Sequence, residues 1–143
     1  MSPVSRFSLI ENGSQARNLS FDGHRIETVV PGRVLAAQFE SEGLFLLLFT
    51  DDNPYEECLH VILLDEGGNL LDTVELANPY SPGMLDGLRV SSPDSVDFGF
   101  FGNDHWRLTI LKESKLHLLQ SPASPVQYRP KFGRHRLDLQ PVK

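Results

Sequence analysis

Residues 43–76 read GLFLLLFTDDNPYEECLHVILLDEGGNLLDTVEL, and this stretch decides the fold. It opens with six apolar residues in a row, Leu44 to Phe49, bounded by Gly43 and by the breaker cluster Asp51-Asp52-Asn53-Pro54. An apolar run so short and so bounded reads as a strand buried on both faces, not as a helix. A second run, Leu59 to Leu64, meets a third, Leu70 to Leu76, across Asp65-Glu66-Gly67-Gly68-Asn69. Two β-prone runs joined by a short glycine-bearing turn predict a hairpin. In the Cys58–Asp65 strand, Leu59, Val61 and Leu63 take one face and Cys58, His60, Ile62 and Leu64 the other. Leu70, Val74 and Leu76 are expected on one face of the next strand, with Thr73 and Glu75 pointing away.

Working outward, Arg33–Glu40 is expected to pair with Leu44–Thr50. Phe7, Leu9 and Ile10 form a weak strand. Leu19 and Phe21 form another, followed after the Asp22-Gly23 turn by Ile26, Val29 and Val30. Ala77 to Pro93 carries three prolines and two glycines and reads as the longest irregular stretch, with Ser81-Pro82 suited to start a single helical turn. Val96–Phe101 and His105–Lys112 alternate, and Glu113-Ser114 reads as a turn into Lys115–Leu119. That makes a three-strand meander. Ser121–Pro130 reads as an extended crossing segment and Phe132–Leu139 as an edge strand. No helix of ten residues is predicted. The fold class is therefore all-β: a mainly antiparallel sandwich or open meander sheet of about nine to eleven strands. The 143 residues are expected to form a single domain, with 121–143 as an extended C-terminal strap.

The composition, 40% hydrophobic and 22% charged, is that of a globular chain. No apolar run approaches the ~20 residues of a spanning helix. No leader-like apolar segment opens the chain, and a lone cysteine, Cys58, permits no intrachain disulfide. A cytoplasmic location without membrane contact is the expectation.

The net charge of -6 conceals a segregation. From Glu40 to Asp104 there are fourteen acidic residues and one basic residue, Arg89. Residues 1–39 net +1 and residues 105–143 net +6. Such a layout speaks to partners and self-contacts rather than to fold. Either the basic C-terminal third lies across the acidic middle, or an acidic face stands ready for a basic partner.

No hydrolase elbow, P-loop, dinucleotide fingerprint or paired-cysteine motif is present. One cysteine and five scattered histidines (24, 60, 105, 117, 135) give no zinc-ligand spacing. The acidic loop Asp51, Asp52, Glu56, Glu57 lacks the acid spacing and central glycine of a calcium loop. No metal and no cofactor are expected. His60 and His117 read as structural or surface residues. Cys58 beside Glu57 does not read as a nucleophile. Trp106 reads as a core aromatic. The interleaved bases and aromatics of Tyr128–Arg136 resemble a nucleic-acid track, but thirteen net negatives next door oppose phosphate, so no nucleic acid is expected.

The functional expectation is a non-enzymatic protein-binding module, in its concrete form an acidic immunity protein or antitoxin masking a basic toxin. Asp51, Asp52, Tyr55, Glu56, Glu57 and Tyr80 are the expected contact residues, with aromatics beside acids as anchors. Two alternatives stand beside it. One is a small-ligand-binding sandwich or barrel with a pocket lined by Phe98, Phe100, Phe101 and Trp106. The other is an enzyme of unrecognised type.

Overall fold

The computed structural model describes residues 1–11, 17–30, 32–53, 57–78, 82–117, 124–129 and 133–142. They form thirteen strands and no helix. In chain order these are β1 (Ser2–Pro3), β2 (Phe7–Glu11), β3 (Arg17–Phe21), β4 (His24–Val29), β5 (Val34–Ser41), β6 (Leu44–Thr50), β7 (Cys58–Leu64), β8 (Leu70–Ala77), β9 (Asp86–Ser92), β10 (Ser95–Gly99), β11 (Trp106–His117), β12 (Val126–Arg129) and β13 (Gly133–Pro141).

The strands make three antiparallel sheets. A six-stranded sheet has the order β1-β5-β6-β7-β8-β12, a four-stranded sheet β13-β11-β10-β9, and a three-stranded sheet β2-β3-β4. The six-stranded sheet lies in the middle, and this is what the unbroken run Leu44–Phe49 required. Leu46 and Leu48 point to one side and join Leu59, Val61, Leu63, Val74 and Leu76 against the four-stranded sheet. Phe45, Leu47 and Phe49 point to the other side and join Ile62 and Leu64 against Phe7 and Leu19 of the three-stranded sheet. A strand in an open two-layer sandwich alternates apolar and polar, whereas β6 has two interiors to fill and has no polar face.

Two hairpins turn as their sequences require. Asp22-Gly23 and Glu42-Gly43 each put both central residues at positive φ, +50° and +87° in the first, +50° and +80° in the second. That is the turn whose twist matches antiparallel strands. In the β7–β8 connection, the Asp65 carboxylate accepts from the Gly67 and Asn69 amides, both at 2.9 Å.

Four local expectations are corrected. Ala77–Pro93 is not irregular throughout, because β9 occupies Asp86–Ser92 and pairs with β10. Ser81 lies outside the described residues, and Pro82–Leu85 carries no helical turn. Glu113-Ser114 is not a turn. β11 runs on through it, and the pairing with β13 steps from Ile110–Leu137 to Lys115–His135. The surplus β11 residues bulge, and β13 side chains serve them: Arg136 Nε donates to the Leu111 carbonyl at 2.7 Å and Arg134 Nε to Ser114 Oγ at 2.8 Å. Finally, Leu70 does not share the buried face of Val74 and Leu76. The β7–β8 register shifts between Leu63–Asp72 and Leu64–Leu70, leaving Leu70 half exposed and Asp72 buried.

Trp106 is a core residue as its pattern predicts, and Phe98 and Phe100 are buried with it between the middle and four-stranded sheets. Phe132–Leu139 was expected at an edge, and β13 is the edge of its sheet from Gly133 onward. Within 121–143, β12 pairs with β8 and β13 with β11. No helix among the described residues is long and apolar enough to cross a membrane.

Several acids of the middle segment are used inside the fold. Asp97 accepts from Arg107 at 2.8 and 3.0 Å and from Ser91 Oγ at 2.9 Å. The Arg107 hydrogen bond is the main reason its carboxyl lies below the ordinary 3.8. For Asp104, burial works to raise the value, but acceptance from the Phe100 amide, the Trp106 indole and the Phe101 amide outweighs it and the carboxyl is again lowered. A carboxyl lowered by folding adds stability that is complete above its unfolded value and lost as pH falls through its folded value. The urea midpoint is therefore expected to drop as pH falls below about 4. An Asp97→Asn variant should be less stable at neutral pH and show a shallower drop below it. A midpoint that stays level between about pH 6 and pH 3 would contradict this linkage.

Candidate functional site

Two neighbourhoods converge on the loop between β6 and β7. The first is an open groove of about 600 Å³ lined by Thr50, Asp52, Asn53 and Glu57 from this loop, by Ala36 of β5, and by Gly83 to Leu88. Asp52 and Asp86 are exposed carboxylates, and Met84 is 75% exposed. A second groove of about 540 Å³ continues from it, sharing Ala36 and Leu88, and runs past Leu35–Phe39 and Arg89-Val90. Its walls are strand edges. β9 is the outer strand of its sheet, and β1 pairs with β5 only at Phe39 and Glu40, leaving the outer edge of Val34–Ala37 without a strand among the described residues.

The expected contact residues divide here. Asp52 is exposed and takes a positive φ of +56°. Glu57 is buried, and its carboxylate accepts from the Asp51 amide at 2.5 Å and the Asn53 amide at 3.0 Å. It shapes the loop from within. Asp51 turns to the other side of the sheet, towards His60. Tyr55, Glu56 and Tyr80 lie outside the described residues, as does the side chain of His117. Reversing Asp51 or Glu57 to lysine would thus disturb internal bonds, which sets them apart from Asp52. Met84, Asp86 and Leu88 were missed because they sit in a stretch read as irregular.

The second neighbourhood is the setting of His60, on the side of the middle sheet that faces the three-stranded layer. Pairing of Phe49 with His60 carries Asp51 to the position across from Cys58, and pairing of β7 with β8 sets Glu75 across from His60. His60 Nε2 lies 3.0 and 3.1 Å from the two Asp51 oxygens. His60 Nδ1 lies 3.3 Å from Glu75 Oε1 and 3.9 Å from Cys58 Sγ. Burial acts to lower the imidazole's pKa, but hydrogen bonds with Cys58, Glu75 and Asp51 overcome it and push it up from 6.5 to about 11. The bond from His60 is the main cause that holds the Glu75 carboxyl below its ordinary 4.5, with Arg129 at 3.6 Å contributing. His60 is thus a structural histidine in the sense that it is held by its neighbours, yet those neighbours are all potential ligands.

Together these features define a class, an all-β protein of three stacked antiparallel sheets with a groove between two strand edges. No protein-family model matches the chain, and neither a curated protein nor a solved structure matches it.

Proposed function

We propose that the protein is a non-catalytic binding module that receives an extended basic segment of a partner protein in the groove between β5 and β9. The observation that carries this reading is that Asp52 and Asp86, both exposed, line the same open groove as the exposed Met84. Lysine and arginine bury aliphatic stems while their charged heads stay wet. Met84, Leu85 and Leu88 offer apolar surface for such stems, and the two carboxylates offer partners for the heads. Among the described residues no strand covers the outer edges of β9 and of Val34–Ala37, which offer backbone groups to an added strand. The surplus of acids over bases from Glu40 to Asp104 adds a field that draws a basic chain in. An immunity protein or antitoxin that masks a cationic toxin is the specific form of this role.

The test is selection from a display library of short random peptides, followed by binding kinetics of the winners. Winners should be rich in Lys and Arg with aliphatic neighbours, and association should slow as salt rises. The double variant Asp52→Lys, Asp86→Lys should lose at least about tenfold in affinity, about 1.4 kcal/mol. Its melting temperature should stay close to the parent's, because exposed charges add little to folding. Winners without basic bias, or a double variant that binds as the parent does, would overturn the proposal.

A further inference from the structure

We propose that Asp51, Cys58 and His60 form a binding site for a thiophilic divalent metal ion of the Zn²⁺ class, with Glu75 orienting the histidine. One oxygen, one sulfur and one nitrogen of the three residues lie within 4.8 Å of one another. They are not gathered by a flexible loop alone. Cys58 and His60 stand on one face of β7, and the β6–β7 register brings Asp51 over Cys58.

The donor set selects the kind of ion. Calcium and magnesium take oxygen ligands, whereas thiolate with imidazole suits zinc and its relatives. Ligand bonds of about 2.0–2.3 Å in a tetrahedron place neighbouring donor atoms roughly 3.3–3.6 Å apart. His60 Nε2 and Asp51 Oδ1, at 3.0 Å, need only open slightly. Cys58 Sγ, which lies 3.9 Å from Nδ1, must swing along the ring edge towards Nε2 and Asp51, which a half-buried side chain with one free torsion allows. Three protein ligands leave a fourth position for water, the arrangement of an open rather than a closed zinc site.

The other ring nitrogen supports the same assignment. A metal-binding histidine characteristically donates its second N–H to a carboxylate, which fixes its tautomer and raises its strength as a ligand. Glu75 Oε1 stands 3.3 Å from His60 Nδ1 in that role, and Arg129 lies 3.6 Å from its other oxygen.

Titration of the full chain with Co²⁺ in thiol-free buffer tests the site. One equivalent should bind, with a thiolate-to-cobalt absorption band in the near ultraviolet. Zn²⁺ should displace the cobalt, and Mg²⁺ or Ca²⁺ in excess should not. Cys58→Ser should abolish the band, and His60→Gln should abolish binding. Glu75→Gln should keep the band while weakening binding by about 10- to 100-fold. Should His60→Gln fail to fold, Cys58→Ser and Glu75→Gln carry the test, since neither side chain is fully buried. Absence of cobalt binding, binding without a thiolate band, or unchanged affinity in Cys58→Ser would overturn the proposal and leave His60 as an imidazolium braced by two carboxylates.

Discussion

Leu47→Ala should lower the free energy of unfolding by about 2–5 kcal/mol, and Leu46→Ala should do the same. Both side chains are fully buried, at 0% exposure. They are adjacent in sequence yet report on different interfaces. Leu46 belongs to the core shared with the four-stranded sheet, Leu47 to the core shared with the three-stranded sheet. Each truncation removes three carbon atoms from close-packed surroundings, so the transfer loss is joined by the cost of the cavity left behind. The two residues belong to separate core clusters on opposite faces of β6, so each variant reports on its own interface. Urea melts of the two variants check this. A Leu47→Ala loss below about half a kilocalorie, beside a full loss for Leu46→Ala, would mean that the three-stranded layer is not packed on β6 in solution.

Leu44–Phe49 was the most informative stretch because a two-sided burial leaves a mark that no one-sided strand leaves. The hairpins on either side were legible for a related reason. Asp22-Gly23, Glu42-Gly43 and the Asp65–Asn69 turn carry residues whose φ values or side-chain acceptors act locally. What was not legible depends on register. Glu113-Ser114 looks like a turn by residue type, yet Arg134 and Arg136, twenty or more positions on, supply the bonds that keep β11 extended. Leu70 falls out of the core because of a one-residue shift that its own neighbours do not announce. The His60 cluster was hidden in the same way. The alternation of β7 placed Cys58 and His60 on one face, but Asp51 and Glu75 reach them only through pairings with two other strands. The β6–β7 connection is long enough that sequence does not fix which residue of β6 meets His60. Asp52 behaved as a surface acid should, whereas Glu57, read as its equal, is spent on loop amides.

Asp72→Ala is expected to destabilise the fold by about 3 kcal/mol or more, because it leaves several buried donors without their acceptor, at about 1–3 kcal/mol each. Asp72 belongs to β8 in the middle sheet, and three of its four hydrogen-bond partners belong to β13 in the four-stranded sheet, the fourth being the Thr73 amide of its own strand at 2.8 Å. Its Oδ1 accepts from His135 Nδ1 at 2.7 Å, and its Oδ2 accepts from the Arg136 amide at 2.8 Å and the Leu137 amide at 2.9 Å. Both members of the His135–Asp72 pair are buried, so water cannot take the carboxylate's place. Tyr128 closes the same corner: its ring lies 5.1 Å from that of His135 and its hydroxyl accepts from the Leu139 amide at 3.0 Å. Burial is the leading cause that pushes this phenol up to about 12, so it stays a neutral hydroxyl through the working range of pH. Removing the Asp72 carboxylate takes the acceptor from three amide donors and one imidazole donor, beyond any cavity it leaves. Asp72→Asn should lose less. Its carbonyl oxygen can serve the two β13 amides, and its NH₂ can donate to His135 if the imidazole takes the tautomer with Nδ1 bare, which leaves only the Thr73 amide without its acceptor. Urea melts of the parent and both variants should therefore rank parent, Asn, Ala. An alanine variant within about 1 kcal/mol of the parent would show that the middle and four-stranded sheets are held together at this corner by apolar packing alone.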